Sequence, residues 1–282
     1  MPSADLLDGA ALAGELRIEF KTRVERLSQS GLRPGLAVIM VGDDHASQVY
    51  VRNKIKNCKE VGILSRQQLL PANTDETTLL ATIASLNADP NIHGILVQLP
   101  LPKHINEARA LAAVNPDKDV DGFHISNAGA LAQGDPRIVP CTPKGIMRML
   151  EKASVSLEGA EAVVLGRSNI VGKPMALLLM MAGATVSICH SKTKDIANHT
   201  RRADVLVCAV GRPNFVTGDM IKDGAVIVDV GINRAEGSNK LCGDVDFASC
   251  LAKASKLSPV PGGVGPMTIA MLLENTIEAA ER

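Results

Sequence analysis

Residues 162–174 read AVVLGRSNIVGKP, and this stretch is the clearest indication of the fold. The apolar run predicts a strand, and the turn that follows, from Gly166 to Pro174, opens a helix. A strand, a glycine turn and a helix in this order are typical of a dinucleotide-binding domain, where N–H groups at the start of the helix hold a pyrophosphate. Ser168 and Val171 stand where the G-x-G-x-x-G pattern has glycine. A turn that only packs helix on strand is therefore the alternative.

The rest of the second half continues this pattern. Further apolar runs at residues 184–190, 203–211 and 224–231 are nearly continuous, as in strands that are buried on both faces of a doubly wound sheet. The most apolar stretch, residues 176–188, has Gly183 in its middle and predicts a buried helix that leads into a strand. The second half is therefore predicted to be a Rossmann-like doubly wound parallel sheet.

The first half shows a second βαβαβ pattern. Its predicted strands are residues 36–42, 63–70 and 92–99, and its predicted helices are residues 45–60 and 75–87. A Pro/Gly/Asp-rich passage and a helix at 143–152 separate the halves. We therefore predict an α/β protein of two α/β domains, residues 1–140 and 141–282, with a last helix at 266–282 that could close either domain.

The composition favours a small-molecule partner. Lys plus Arg and Asp plus Glu each number 30, so no net charge attracts nucleic acid or an anionic membrane. With no Trp and a single Tyr, the chain cannot build platforms for base stacking. No signal-peptide pattern or membrane-spanning stretch is evident, which predicts a cytoplasmic location. The six cysteines lack zinc spacing, which predicts reduced core residues and no metal site.

The strand after the glycine turn indicates which dinucleotide is bound. It ends in Cys-His-Ser-Lys-Thr at residues 189–193, where an NAD enzyme usually has a carboxylate for the ribose 2′-hydroxyl. Arg167 in the glycine turn, with Ser191 and Lys192 at the strand end, instead offers cationic and hydroxyl donors that suit a 2′-phosphate. The sequence therefore favours NADP. The loops at 211–213 and 231–233 follow later strands, where they meet the nicotinamide half of a cofactor or serve as ordinary turns.

Polar residues in the first half suggest a reaction site. Tyr50 and Lys54 are four residues apart and share one face of a predicted helix. Partial burial makes an amine easier to deprotonate, so that it can exchange protons beside a phenol. A packed Tyr with a surface Lys is the alternative. Gln98 interrupts an apolar strand at its carboxyl end, where parallel sheets place their ligand sites.

Two loops complete the candidate site. The loop at 117–123 reads DKDVDGF, and a carboxylate from it could accept hydrogen bonds from an amino-pyrimidine edge, although acidic loops are often simply solvated. The loop at 259–268 reads PVPGGVGPMT, and its glycines let backbone approach a flat ligand closely. A plain connector is the alternative for the second loop.

Taken together, these motifs closely resemble the methylenetetrahydrofolate dehydrogenase/cyclohydrolase family over nearly the whole chain. The motifs, in the family's order, are Tyr50-x-x-x-Lys54, ILVQLPLP (95–102), DKDVDGF, GRSNIVGKP (166–174) and PVPGGVGPMT. The resemblance implies NADP-dependent oxidation of 5,10-methylene-tetrahydrofolate to the 5,10-methenyl compound. Hydrolysis of that compound to 10-formyl-tetrahydrofolate follows. It also implies a homodimer formed through the cofactor domains, and an active site in the cleft between the two domains.

The resemblance also implies roles for individual residues. The catalytic lysine is Lys54, its partner tyrosine is Tyr50, the active-site glutamine is Gln98 and the pterin-binding aspartate is Asp121. The implied cofactor contacts are Gly166, Arg167, Ser168, Ser191 and Ile232. The implied substrate contacts are Tyr50, Lys54, Val97, Gln98, Leu99, Asp121, Pro261, Gly262 and Gly263. In relatives the C-terminal helix packs on the first domain.

Two other classes of protein share parts of this pattern. Short-chain dehydrogenases also use Tyr-x-x-x-Lys with NADP, but there the glycine turn precedes that pair, whereas here Gly166 follows Lys54. A protein that senses NADP without turnover would have no reason to combine Lys54, Gln98 and Asp121.

Overall fold

The structure is a computed structural model that describes residues 4–234 and 240–282. The chain forms two compact units. We call Met1–Ala13 with Thr142–Thr268 the six-stranded unit, and Gly14–Cys141 with Ile269–Arg282 the three-stranded unit. The predicted division at residues 140 and 141 stays a prediction. In the described part of the chain, no helix is both long enough and apolar enough to cross a bilayer.

The secondary structure alternates between strands and helices along the chain. The strands are β1 (Asp5–Leu6), β2 (Gly35–Val41), β3 (Leu64–Leu70), β4 (Gly94–Val97), β5 (Glu161–Leu165), β6 (Thr185–Cys189), β7 (Val205–Cys208), β8 (Val226–Asp229), β9 (Asn233–Arg234), β10 (Leu241–Cys242) and β11 (Lys256–Leu257). The helices are α1 (Gly9–Gln29), α2 (His45–Val61), α3 (Glu76–Ala88), α4 (Glu107–Ala112), α5 (Ile125–Ala132), α6 (Cys141–Lys152), α7 (Gly172–Met181), α8 (Ile196–Thr200), α9 (Phe247–Leu251) and α10 (Val264–Ala280). Two short 3-10 turns, Pro116–Lys118 and Gly218–Met220, complete the set.

The three-stranded unit is built on a parallel sheet with the order β3-β2-β4. Every residue of β2 is buried, because this strand is central and covered on both faces. Gly42 follows β2 with φ +94°, and the Asp44 side chain accepts a hydrogen bond from Ser47 N–H at the start of α2. Helix α2 therefore leaves the carboxyl edge of the sheet at once, where ligand sites of such sheets lie.

The six-stranded unit contains one parallel sheet with the order β1-β11-β8-β7-β5-β6. Strands β7 and β8 are buried along their whole length, and β5 is buried except at Glu161. Strands β9 and β10 pair with each other in antiparallel orientation and form a separate two-stranded sheet. The predicted fold class, two α/β domains with the second a Rossmann-like parallel sheet, is confirmed.

The most apolar stretch was expected to form a buried helix that leads into a strand, and the structure buries this stretch only in part. Met180 at the end of α7 is 56% exposed and Ile188 in β6 is 42% exposed. The cause is the position of β6, which pairs only with β5 and forms one edge of the sheet. Five of the six cysteines are buried free thiols, as expected of core residues, whereas Cys242 is only half-buried.

Candidate active site

Lys54 and Gln98 meet at the carboxyl edge of the three-stranded sheet. Lys54 lies in the third turn of α2 and is half-buried. Gln98 is the residue after β4. The Lys54 Nζ donates a hydrogen bond to Gln98 Oε1 over 3.1 Å. The structure thus brings together two of the predicted catalytic residues.

The orientation of the Gln98 amide follows from its other contacts. Its backbone N–H donates to Ile39 O over 2.8 Å, which continues the β2–β4 ladder by one residue. Its side-chain Nε2 donates to Leu99 O over 2.7 Å. Because the amide nitrogen is bound to a backbone carbonyl, the amide oxygen must face Lys54. Gln98 therefore fixes the position of the ammonium group.

Asp121 lies within electrostatic range of Lys54. Asp121 is half-buried, and desolvation raises its carboxyl pKa to about 6. The charge of Lys54 lowers that pKa, and the nearby Asp119 raises it further. An acid with a perturbed pKa beside a fixed amine is a typical feature of a functional site.

The other charged residues of the DKDVDGF loop hold the loop in place. Lys118 Nζ donates to the Asn87 and Asp89 carbonyls at the end of α3, each over 2.8 Å. Buried Asp119 accepts hydrogen bonds from His124 N–H (2.8 Å) and from the side chain of Asn127 (2.9 Å). The alternative of a simply solvated loop is therefore wrong for these two residues.

Asn275 in α10 anchors the same loop, and sequence reasoning missed it. Its side chain is 1% exposed and donates to Val120 O over 2.9 Å and to Val139 O over 3.0 Å. The adjacent Gly122 has φ +75°, and a Cβ there would lie 2.7 Å from Pro140 N. An Asn within a mostly apolar helix was the signal, because a buried amide needs hydrogen-bond partners.

Tyr50 and Cys58 lie one turn on either side of Lys54 along α2. Tyr50 is 40% exposed, and partial burial raises the pKa of its phenol. Cys58 is fully buried, and desolvation raises the pKa of its thiol to about 12, so it remains a neutral core residue. One turn beyond Lys54, the next residue in line with Tyr50 and Lys54 is therefore a neutral, buried thiol.

The remaining predicted substrate contacts fall in different places. Val97 is buried and Leu99 half-buried, on either side of Gln98. Pro261 is exposed, Gly262 half-buried and Gly263 buried, and these three belong to the six-stranded unit. Gly262 has φ +109°, as a glycine-dependent turn requires. Contact of this loop with substrate stays a prediction.

The glycine turn of the six-stranded unit is packed backbone to backbone. A Cβ on Gly166 would lie 2.2 Å from Ala209 O, and one on Gly172 would lie 2.2 Å from Gly166 O. The Ser168 hydroxyl accepts hydrogen bonds from Val171 N–H (3.1 Å) and Gly172 N–H (3.3 Å). Ser168 thus substitutes for a glycine of the usual motif by capping the helix.

A cavity of about 250 Å³ adjoins this turn in the six-stranded unit. Both residues predicted to bind the 2′-phosphate, Arg167 and Ser191, line it. The complete lining is Leu165, Gly166, Arg167, Cys189, His190, Ser191, Ile196, Ala209, Val210, Arg212 and Phe215. None of these described lining residues is Asp or Glu, and two are Arg, so the residues present fit the adenosine end of NADP.

Ile232 lies in the loop after β8 and is 49% exposed. An exposed isoleucine at the carboxyl end of a parallel sheet is available to a flat apolar ligand. No cluster of His, Cys, Asp or Glu suited to a metal ion occurs among residues 4–234 and 240–282.

Comparison with known proteins shows to which family the whole chain is related. Residues 7–121 match the catalytic domain of the tetrahydrofolate dehydrogenase/cyclohydrolase family, and residues 140–282 match its NAD(P)-binding domain. The bifunctional protein FolD of Dechloromonas aromatica is 65% identical over 280 residues, which are 99% of this chain and 98% of that protein.

Solved structures agree with this kinship. The bifunctional FolD methylenetetrahydrofolate dehydrogenase/cyclohydrolase of Campylobacter jejuni has a TM-score of 0.98 at 51% identity, over 99% of each chain. The Trypanosoma brucei enzyme, solved with NADP and an inhibitor, has a TM-score of 0.96 at 40% identity, over 100% of this chain and 99% of that one. This chain therefore belongs to the tetrahydrofolate dehydrogenase/cyclohydrolase family.

Proposed function

We propose that Lys54, held by Gln98 and lying near Asp121, performs the folate chemistry of this enzyme. The chain oxidises 5,10-methylene-tetrahydrofolate with NADP and hydrolyses the 5,10-methenyl product to 10-formyl-tetrahydrofolate. The predicted family, enzyme class and cofactor are thus confirmed. The roles of single residues are our proposal, and the observation that carries it is the 3.1 Å hydrogen bond from Lys54 to Gln98.

NADP, when bound, supplies the hydride acceptor of the first reaction. Arg167 and Ser191, which line the cavity next to the glycine turn, would hold the 2′-phosphate. Gly166 and Ser168 in that turn would lie along the phosphates, and Ile232 would face the nicotinamide half. These residues bind and orient the cofactor, and no acid or base is required of them.

The rate of the first reaction depends mainly on the alignment of the folate. Hydride leaves the methylene carbon with its electron pair, so that closeness and orientation of the reactants dominate the rate. Asp121 is placed to accept the adjacent N–H donors of the pterin edge, which one ionised carboxylate can accept together. The Asp121 pKa of about 6 leaves this group mostly ionised at neutral pH.

The second reaction requires proton transfer. Water attacks the methenyl carbon and loses a proton, and the carbon–nitrogen bond that breaks leaves a ring nitrogen that gains one. Lys54 is the group that we assign to this transfer, because Gln98 holds its nitrogen in one place. Tyr50, one turn earlier on α2, would keep the amine oriented and contact the substrate ring.

A single absorbance assay tests the proposed function. With methylene-tetrahydrofolate and NADP as reactants, formation of NADPH and transient appearance of the methenyl compound report the two steps. We expect both steps from the purified chain. Formation of NADPH without any decay of the methenyl compound would contradict the cyclohydrolase assignment, and no NADPH would contradict the dehydrogenase assignment.

A homodimer formed through the six-stranded unit is a further part of the proposal. Edge strand β6 and the end of α7 support it, because Met180, Met181 and Ile188 expose 56%, 45% and 42% of their surface. An exposed apolar sheet edge is a typical site for a second copy. Sedimentation of the wild type should give a dimer, and Ile188→Lys should dissociate it. Ile125→Lys, a control at an exposed position in α5, should leave the dimer intact. A monomeric wild type would refute this part.

Three other expectations stay predictions. They are the domain boundary at residues 140 and 141, the substrate contacts of residues 261–263, and a cytoplasmic location. Fractionation of cells with an antibody to this chain tests the location.

A further inference from the structure

Asp244 is a fully buried carboxylate that accepts four hydrogen bonds. Its Oδ2 accepts from the backbone N–H groups of Val210 (2.6 Å) and Gly211 (3.0 Å). Its Oδ1 accepts from Arg212 N–H and from the Asn233 side-chain amide, each over 2.9 Å. Four donors match the acceptor capacity of an ionised carboxylate. One side chain therefore connects the loop after β7 to the loop after β8.

Asp244 is itself held in place by its neighbours. Its backbone N–H donates to Asp229 Oδ1, and its carbonyl accepts from Val216 N–H, each over 2.9 Å. The same Asp229 Oδ1 accepts from Gly231 N–H over 2.9 Å. A Cβ on Gly231 would lie 2.4 Å from Asp244 Oδ1, so only glycine permits this approach. The carboxylate and the two loops thus form one rigid group.

Each connected loop either adjoins or carries a residue that we assign to NADP. Val210 and Arg212 line the same cavity as Arg167, and the Arg212 guanidinium lies 4.3 Å over the Phe215 ring. Ile232 lies between Gly231 and Asn233 in the second loop. Asp244 is not among the residues that line the cavity. Its effect on a ligand would therefore pass through the backbone of the two loops.

We propose that Asp244 is a positioning residue for NADP, because it holds the loop at 210–212 and the loop at 231–233 in one fixed arrangement. Ordering the loops in advance lowers the entropy cost of binding, which raises affinity without a new contact. This inference rests on the proposed function, which assigns to NADP both Ile232 and the cavity that Val210 and Arg212 line together with Arg167 and Ser191.

The variant Asp244→Asn tests the inference. Asparagine keeps the size but has one acceptor oxygen, and its NH₂ group would face backbone donors, so at least two of the four bonds are lost. We expect the dissociation constant of NADP, measured by calorimetry without folate, to rise about tenfold or more. The KM for NADP should rise with it. Hydrolysis of added methenyl-tetrahydrofolate, which needs no NADP, should stay at the wild-type rate.

A matched control lies at the other end of the same strand. Asp204 precedes β7 and accepts hydrogen bonds from Glu161 N–H (2.9 Å) and from Lys222. Asp204→Asn therefore also removes a charge next to β7, but we expect wild-type affinity for NADP. A rise equal to that of Asp244→Asn would overturn the inference.

A second variant, Asn233→Ala, tests the inference if Asp244→Asn does not fold. It removes one of the four donors and should weaken NADP binding about threefold. In the double variant the two effects should not add, because both act through one carboxylate. Wild-type affinity in a folded Asp244→Asn, or equal loss of NADP binding and hydrolysis, would overturn the inference. A wild type that does not bind NADP would instead refute the proposed function.

Discussion

Asn275 joins helix α10 to the loop that carries Asp121, and we expect its removal to weaken both the fold and folate binding. Its buried side chain donates to Val120 O and Val139 O over 2.9 and 3.0 Å. In Asn275→Ala both carbonyls lose this donor, and Val120 O keeps the weak thiol donor of Cys141 at 3.3 Å. A lost buried hydrogen bond costs about 1–3 kcal/mol. We therefore expect the free energy of unfolding to fall by about 2–4 kcal/mol.

Urea unfolding measures this loss, and Thr276→Val is the matched control. Thr276 is fully buried in the same helix, but its hydroxyl donates only within that helix, to Leu272 O over 2.7 Å. Thr276→Val should cost less than about 1.5 kcal/mol and leave folate affinity unchanged. Asn275→Ala should also weaken folate binding, measured by calorimetry on the folded fraction. Equal effects of the two variants on both quantities would refute the assigned role of Asn275.

Two further predictions concern the cofactor and the pterin. Arg167→Ala should raise the KM for NADP far more than that for NAD, whereas Lys194→Ala, an exposed lysine outside the cavity lining, should change neither. Equal effects of Arg167→Ala on both cofactors would remove Arg167 from the 2′-phosphate site. Since the pKa of Asp121 is about 6, kcat/KM for methylene-tetrahydrofolate should fall as pH drops through 6. Asp121→Ala should lose folate affinity but bind NADP normally. Normal folate affinity of this variant in calorimetry would contradict the role of Asp121 in binding the pterin. The pKa of Asp121 in the folded chain lies above its ordinary value of 3.8, so ionisation of this group lowers the free energy of unfolding. Asp121→Asn should therefore melt at a higher temperature than wild type at pH 7. Below pH 4, where Asp121 is protonated in the folded chain, this difference should disappear.

The long elements could be predicted from the sequence because their patterns extend over many residues. Strand β2 and helices α2 and α3 lie within one or two residues of their predicted bounds, since each repeats its apolar pattern several times. Strands β1 and β11 have two residues each and pair with one another across the length of the chain. A two-residue strand has no periodicity to detect, and these two strands were missed.

The residues that carry the chemistry of the site were easier to predict than the residues that hold the site in place. Lys54 and Gln98 were recognised from their motifs, and they meet in the structure. Asn275 and Asp244 act through hydrogen bonds to backbone groups distant in sequence. Which backbone group a buried polar side chain contacts depends on tertiary packing, and a sequence pattern indicates only that some partner is needed.

Stopped-flow absorbance of Lys54→Gln is the measurement that tests most directly whether Lys54 transfers protons. It compares how much NADPH formation and hydrolysis of the methenyl compound each depend on Lys54. The variant keeps much of the length and hydrogen bonding of lysine but cannot transfer protons in the same way. A positioned acid–base group contributes about 10² to 10⁴ to such a step. We predict that hydrolysis falls by about that factor, that NADPH formation remains measurable, and that the methenyl intermediate accumulates. Lys56→Gln, an exposed position on α2, should behave as wild type. If both steps fall by the same factor and no intermediate accumulates, Lys54 positions substrate and does not transfer protons.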